Sequence, residues 1–265
     1  MRLDRSIASQ GAYTRSEIRK LIRAGRVTVD GAPVRDPGAA VDPENNVLAV
    51  DGKALNYREH LYLMLNKPKG VISATEDRSA KTVLDLVPPE LFRKGLFPAG
   101  RLDGETTGFV LLTDDGEFAH RILSPGNHIM KTYIATLRDV PPDSQLQPLR
   151  DGIELRDGSH CLPAEVRILG DRTVEIKICE GKYHQIKRMF AAAGNRVLEL
   201  ERTAMGGLPL DPDLEPGKCR GTHGGGTGQD HGPLKIFYKI GKRILLFLHL
   251  LGIIDNGIAN NLYKK

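Results

Sequence analysis

The residues of this chain best suited to chemistry are Arg101 and Asp103, which stand two positions apart in the segment 97–108. Glycines at positions 100, 104 and 108 predict a turn, and the apolar run from Phe109 to Leu112 predicts a buried strand after it. A carboxylate held in such a turn can serve as a nucleophile. An isolated arginine–aspartate pair also fits a surface ion pair in a capped turn, which contributes little to stability.

Two later segments carry groups that such a carboxylate would need. Tyr133 lies in the sequence K-T-Y, and Lys187 and Arg188 lie in Y-H-Q-I-K-R-M. Because a nearby cation favours the ionised form of a carboxylate, a lysine or arginine brought beside Asp103 would keep it charged. Taken alone, Tyr133 also fits a tyrosine in the core of a strand.

These three motifs, in this order, closely resemble those of the pseudouridine synthases that act on ribosomal RNA. The resemblance implies that Asp103 is the catalytic nucleophile, attacking either C1′ of the ribose or C6 of uracil, and that Tyr133 stacks on the base and moves a proton. It assigns the cation beside the aspartate to Lys187, where many relatives carry arginine, and it implies that Arg101 fills the gap left by the flipped uridine. The reaction needs no cofactor and no metal.

The composition agrees with an anionic partner. The chain has 265 residues, with 38 basic and 33 acidic side chains and a net charge of +5. Three widely spaced cysteines form no metal pattern, and the charged N-terminus leads into no apolar segment typical of a signal peptide. We therefore expect a monomeric cytoplasmic protein that is not bound to a membrane.

Residues 1–57 are predicted to form a small separate domain. Thr14 and Glu17 have the spacing of a capping box, and an apolar stripe follows them up to Gly25. The whole segment resembles the S4 RNA-binding domain, which implies that its basic helix contacts RNA phosphates. The predicted contacts are Arg15, Arg19, Lys20, Arg23 and Arg26.

Residues 61–220 are predicted to form the catalytic domain. Strands and helices mix without regular alternation, which favours an α+β fold, and the family implies a mixed, largely antiparallel sheet. No glycine-rich nucleotide-binding motif is present in the sequence. Lys67, at the end of the strand from Leu61 to Leu65, and Arg188 are expected to add contacts to RNA.

Residues 221–265 do not continue the resemblance. The glycine-rich run after Arg220 is compatible with a one-base shift of codons for C-R-E-L-T-A-E-E-L-V-K-I-M, a peptide with helical spacing. We expect this tail to be the product of a shifted reading frame. Its apolar run from Ile244 to Leu248 is too short to span a bilayer.

Within the family, the sequence after the first motif resembles the branch that modifies 16S rRNA at uridine 516. The expected partner is ribosomal RNA or a ribosomal assembly intermediate. The alternatives are a synthase acting on 23S rRNA and a non-catalytic assembly factor that keeps the S4 domain. The intact Asp103, Tyr133 and Lys187 argue against the second of these.

Overall fold

The N-terminal module has two helices packed on a four-stranded antiparallel sheet, in a computed structural model that describes residues 1–222. The Thr14 hydroxyl accepts a hydrogen bond from Glu17 N at 3.3 Å, and the Glu17 carboxylate accepts one from Thr14 N at 2.8 Å, so the predicted capping box is confirmed. The strands occur in the order β2-β1-β3-β4. The elements are α1 (Leu3–Ala8), α2 (Arg15–Arg23), β1 (Val27–Val29), β2 (Ala32–Pro33), β3 (Leu48–Val50) and β4 (Lys53–Ala54).

The second module is built on one nine-stranded sheet, ordered β13-β5-β7-β11-β8-β10-β9, with β6 paired to β7 and β12 to β11. Only β7 and β11 run parallel among the strand pairs described, so the α+β prediction of a mixed, largely antiparallel sheet is confirmed. The strands are β5 (Tyr62–Lys67), β6 (Phe97–Ala99), β7 (Thr107–Thr113), β8 (Lys131–Leu137), β9 (Glu165–Gly170), β10 (Thr173–Ile178), β11 (Val197–Met205), β12 (Leu208–Pro209) and β13 (Cys219–Gly221). The helices are α3 (Gly116–Leu123), α4 (Asp143–Asp151) and α5 (Gln185–Ala192).

The central strands bury both faces of this sheet. Because side chains alternate along a strand, Leu63 and Leu65 of β5 join the core that contains residues of α4 and α5, whereas Tyr62 and Met64 join the core beneath α3. The same alternation holds along β7. The sheet is therefore a rigid support for the loops at its ends.

Several elements differ from the sequence prediction. The sequence pattern predicts a helix from Lys182 to Ala193, but the helix begins only at Gln185, because the preceding residues form a turn held by the Gln185 side chain. The pattern also predicts a strand from Val71 to Thr75, but these residues form no strand and make only a bridge between Ile72 and Thr82. The helix α4 was not predicted, since Pro148 lies inside it and proline usually interrupts helices.

The two modules meet at a buried arginine. Arg93 donates to the Asp114 carboxylate at 2.9 Å and to the carbonyl of Glu59 at 3.2 Å. Its other terminal nitrogen donates to the Gln10 side chain at 2.9 Å and to the carbonyl of Arg58 at 3.0 Å. One guanidinium thus joins the N-terminal module, the segment between the modules and the catalytic sheet.

Replacing Arg93 by methionine is expected to lower the free energy of unfolding by about 3 kcal/mol, because removing one member of a buried charged network leaves its partners unpaired. Urea unfolding measures this change. The matched control is Arg121→Met, which removes an exposed pair with Glu117 on α3 and should barely move the unfolding midpoint. Equal midpoints for the two variants would contradict the role given to Arg93.

The edge strand β13 carries the sheet past the predicted boundary at residue 220. Gly221 pairs with Leu63, and Thr222 N donates to the carbonyl of Tyr62 at 3.1 Å. The proposed frame-shifted tail otherwise falls on residues 223–265, which lie outside the described residues.

Candidate active site

Asp103 lies in the loop between β6 and β7, two strands that pair antiparallel with each other. After this loop β7 runs beside β11, and Gly108 makes the close approach possible. Its φ is +94°, and a Cβ atom there would lie 2.3 Å from the carbonyl oxygen of Arg202. Only glycine fits at this position, so Gly108 is what allows β7 to pair with β11 directly after the loop.

Two buried side chains hold the loop from below. The Ser73 hydroxyl donates to the Leu102 carbonyl at 3.1 Å and accepts from Leu102 N at 3.0 Å, which fixes the residue before Asp103. On the other side, Lys67 Nζ donates to the carbonyls of Gly104 at 3.0 Å and Thr106 at 2.7 Å. The loop carrying Asp103 is therefore preorganised by hydrogen bonds to its backbone.

The prediction that Lys67 contacts RNA does not fit the structure. Its side chain is fully buried, and its third hydrogen bond goes to the Pro68 carbonyl at 3.0 Å. Burial lowers the pKa of the Lys67 ammonium to about 8, while the negative charges of Asp103 and Glu105 oppose that shift. At pH 7 the ammonium remains mostly protonated, and its three donors match three carbonyls of the loop and its flank.

The ammonium of Lys187 on α5 and the imidazole of His184, the residue before that helix, flank the Asp103 carboxylate. Lys187 Nζ lies 3.7 Å from Oδ2, and His184 Nε2 lies 3.4 Å from Oδ1. All three side chains are about one-third exposed, from 30% to 37%. The structure thus brings Asp103 and Lys187 together, as the family resemblance implies, and adds His184, which the sequence analysis did not assign to the site.

The amphipathic pattern of α5 explains how Lys187 reaches the loop. Ile186, Met189 and Phe190 are buried in the core, which turns Lys187 outward. The turn before the helix is fixed by Gln185, whose side chain accepts from Lys182 N at 2.9 Å and donates to Glu180 at 2.7 Å.

Tyr133 lies on β8, opposite Ile176 of β10 and Arg202 of β11. Its side chain is 8% exposed and belongs to the same core as Leu102, the residue before Asp103, and Ile186, the residue before Lys187. The tyrosine therefore shares a buried cluster with both halves of the site. No direct bond between Tyr133 and Asp103 is present in the part of the chain described.

The two arginines assigned to RNA near this site differ in their surroundings. Arg101 is exposed in the loop, two residues before Asp103. Arg188 instead pairs with Asp157 at 2.5 Å and donates to the Tyr183 carbonyl at 3.3 Å. Hydrogen bonds from Ser159, with Arg188 added, lower the pKa of Asp157 to about 2. Arg101 is therefore the more available of the two for an anionic ligand.

In the N-terminal module a buried acid organises the basic face of α2. Asp4 is fully buried and accepts from Arg2 and Arg15 at 3.2 Å and from Arg19 at 2.7 Å. Burial favours the neutral acid, but the three arginines outweigh it and hold the pKa of Asp4 well below its usual range. The arginine side chains remain 41–53% exposed, so the cluster keeps a cationic outer surface.

The other basic residues of this module are placed differently. Arg26 makes two bonds of 2.6 Å to Asp51, whereas Lys20 and Arg23 are exposed on α2 with no ion pair to another described residue. Among the predicted RNA contacts of this module, Lys20 and Arg23 are therefore the most available for an anionic ligand.

Within residues 1–222, no group of three or more histidine, cysteine, aspartate or glutamate side chains could hold a metal ion. The described residues also contain no helix with the length and apolar character needed to cross a membrane.

Comparison with known proteins identifies relatives of both modules. Residues 61–192 match the family model described as RNA pseudouridylate synthase, and residues 1–47 match that of the S4 domain. The Bacillus subtilis (strain 168) protein named uncharacterized RNA pseudouridine synthase YtzG is 45% identical over 83% of this chain and 94% of its own length. Ribosomal small subunit pseudouridine synthase A of Escherichia coli (strain K12) is 44% identical over 83% of this chain and 95% of its own.

A solved structure also resembles the chain. A crystal structure of a pseudouridylate synthase is 40% identical, covers 83% of this chain and 95% of its own, and superposes with a TM-score of 0.58. The chain therefore belongs to the RNA pseudouridylate synthase family and carries an S4 domain at its N-terminal end.

Proposed function

We propose that this pseudouridine synthase converts a uridine of 16S rRNA, at position 516, to pseudouridine, with Asp103 as its nucleophile. The observation that carries the proposal is a carboxylate on a preorganised loop with Lys187 at one oxygen and His184 at the other. The choice of 16S rRNA is supported by relatives named ribosomal small subunit pseudouridine synthase A, which are 41–44% identical to this chain.

The chemistry requires that the bond between uracil N1 and ribose C1′ break, that the uracil turn, and that it rejoin C1′ through C5. In this proposal Asp103 forms the transient covalent bond, to C1′ of the ribose or to C6 of the base, and Lys187 places positive charge beside it. Tyr133 stacks on the base and transfers the final proton from C5. The isomerisation balances, since the broken C1′–N1 bond is matched by the new C1′–C5 bond and the bond to Asp103 breaks again when the product forms. The proton lost from C5 is matched by one that N1 takes from solvent.

RNA binding is divided between the modules in this proposal. Arg101 enters the space left by the flipped uridine, and the cationic face of α2 holds the surrounding RNA through its phosphates. The partner is ribosomal RNA, free or in an assembly particle, and the enzyme acts as a cytoplasmic monomer.

Mapping pseudouridine in 16S and 23S rRNA tests the target. Cells that lack the gene should lack one pseudouridine in 16S rRNA, and the gene supplied on a plasmid should restore it. If the missing pseudouridine lies in 23S rRNA, the enzyme acts on the large subunit. If no pseudouridine is missing, the alternative of a non-catalytic assembly factor is favoured.

Replacing Lys20 and Arg23 together by glutamine is expected to weaken RNA binding. It should also reduce the magnitude of the negative slope of log K against log[salt] by about 1 to 2, because binding with fewer phosphate contacts releases fewer counterions. Filter binding to 16S rRNA at several salt concentrations measures both quantities.

The matched control for this variant is the double change Arg138→Gln and Arg172→Gln. It removes the same formal charge at two exposed positions of the catalytic module, next to Leu137 and Thr173 at one end of the paired strands β8 and β10. An equal loss of slope in both double variants would show that overall charge, not the face of α2, determines binding.

A further inference from the structure

We propose that His184 is a positioning residue that holds the Asp103 carboxylate in a single orientation for attack. The inference rests on the proposed role of Asp103 as nucleophile. It adds a residue to the site that acts through Asp103 and not on the uridine itself.

The two carboxylate oxygens of Asp103 have different partners. Lys187 Nζ lies 3.7 Å from Oδ2, and His184 Nε2 lies 3.4 Å from Oδ1. The terminal torsion of an aspartate is broad, so one distant point charge leaves the carboxylate free to rotate. A second group on the opposite oxygen restricts that rotation, and contacts of this length commonly shorten when substrate binds.

His184 itself is held in place by the turn before α5. Its backbone is left-handed, with a φ of 48°, directly before the first residue of α5. This conformation is uncommon for residues other than glycine, although histidine is among those that adopt it more often. The next residue, Gln185, is 4% exposed and is bonded on both sides of the turn, so the backbone of His184 cannot move freely.

The imidazole ring of His184 is oriented by a stacking contact. It stacks on the ring of Tyr183 with a centroid separation of 3.8 Å and an interplanar angle of 19°. Tyr183 is 76% exposed, an unusual position for a large aromatic side chain, and one face of its ring is covered by the imidazole. The stack orients the ring so that Nε2 faces Asp103.

Three variants separate the nitrogen of His184 from its ring. His184→Phe keeps a ring for the stack and loses the nitrogen, His184→Gln keeps a nitrogen at similar reach and loses the ring, and His184→Ala loses both. The full-length enzyme is mixed in excess with rRNA that carries tritium at uracil C5 and comes from cells lacking the gene. Release of tritium then gives the single-turnover rate.

His184→Phe and His184→Ala are expected to slow the single-turnover rate about 10- to 100-fold, a loss typical of a misplaced reacting group, with the Kd for RNA within about twofold of wild type. His184→Gln should retain the rate within about threefold. Thermal unfolding of all three variants should stay close to that of the wild type.

The matched control is His128→Phe, since His128 is the other histidine with a left-handed backbone among residues 1–222, is exposed, and makes no ion pair with Asp103. A wild-type rate for His184→Phe, or a rate for His184→Gln as low as that of His184→Ala, would overturn the inference. Asp103→Asn measured in parallel separates the two proposals. If Asp103→Asn is inactive while His184→Phe is fully active, only the inference fails. If Asp103→Asn is active, the proposed role of Asp103 as nucleophile fails, and the inference about His184 fails with it.

Discussion

Asp103→Asn is expected to abolish pseudouridine formation and to leave RNA binding nearly intact. The amide keeps the shape of the side chain in its loop, where the bonds from Ser73 and Lys67 go to the backbone and do not depend on the carboxylate. It cannot form the covalent bond to the uridine. Because loss of covalent catalysis raises the barrier by several kcal/mol, the rate should fall by about 10³-fold or more.

Tritium release from rRNA labelled at uracil C5 measures this rate, and filter binding measures the affinity for RNA. Glu105→Gln is the matched control, because it removes a carboxylate two residues further along the same loop at an exposed position. It should remain active. An Asp103→Asn enzyme that keeps more than a tenth of the wild-type turnover would remove Asp103 from the role of nucleophile.

Much of the scaffold followed from local sequence patterns. The capping box of Thr14 and Glu17 predicts the start of α2. The sequence also places the apolar residues Phe118 and Ile122 four positions apart, a spacing that predicts the buried face of α3. These patterns are readable because each depends on residues three or four positions apart. The approach of Lys187 to Asp103 could not be read in this way, and it was expected only from the family resemblance.

The contacts that were missed all link segments far apart in the chain. Ser73 bonds a residue 29 positions later, and Arg93 bonds Gln10 across 83 positions. No periodicity reports such pairs. The position of His184 beside Asp103 is not readable from the sequence either, because the left-handed residue before α5 is specified by the side-chain bonds of Gln185. Lysine is almost never fully buried, so Lys67 was expected at the surface.

Lys67→Met is expected to destabilise the enzyme and to loosen the loop that carries Asp103. Methionine fills most of the volume of the lysine, but it leaves the carbonyls of Pro68 and Thr106 without the ammonium donor and the Gly104 carbonyl with only its bond from Gly70 N. An unsatisfied buried polar group costs about 1–3 kcal/mol, and relief from burying the charge offsets part of that cost. We expect the free energy of unfolding to fall by about 3 kcal/mol.

Lys69→Met is the matched control, since it removes a lysine two positions away that is 51% exposed and pairs with Glu199 at the surface. Urea unfolding should separate the two variants clearly, with Lys69→Met close to wild type. At a temperature where both are folded, Lys67→Met should also turn over at least about tenfold more slowly, because the loop no longer holds Asp103 in place. If instead the two variants matched in stability and in rate, the ammonium would not be what holds the loop, and the Ser73 bonds alone would have to account for its position.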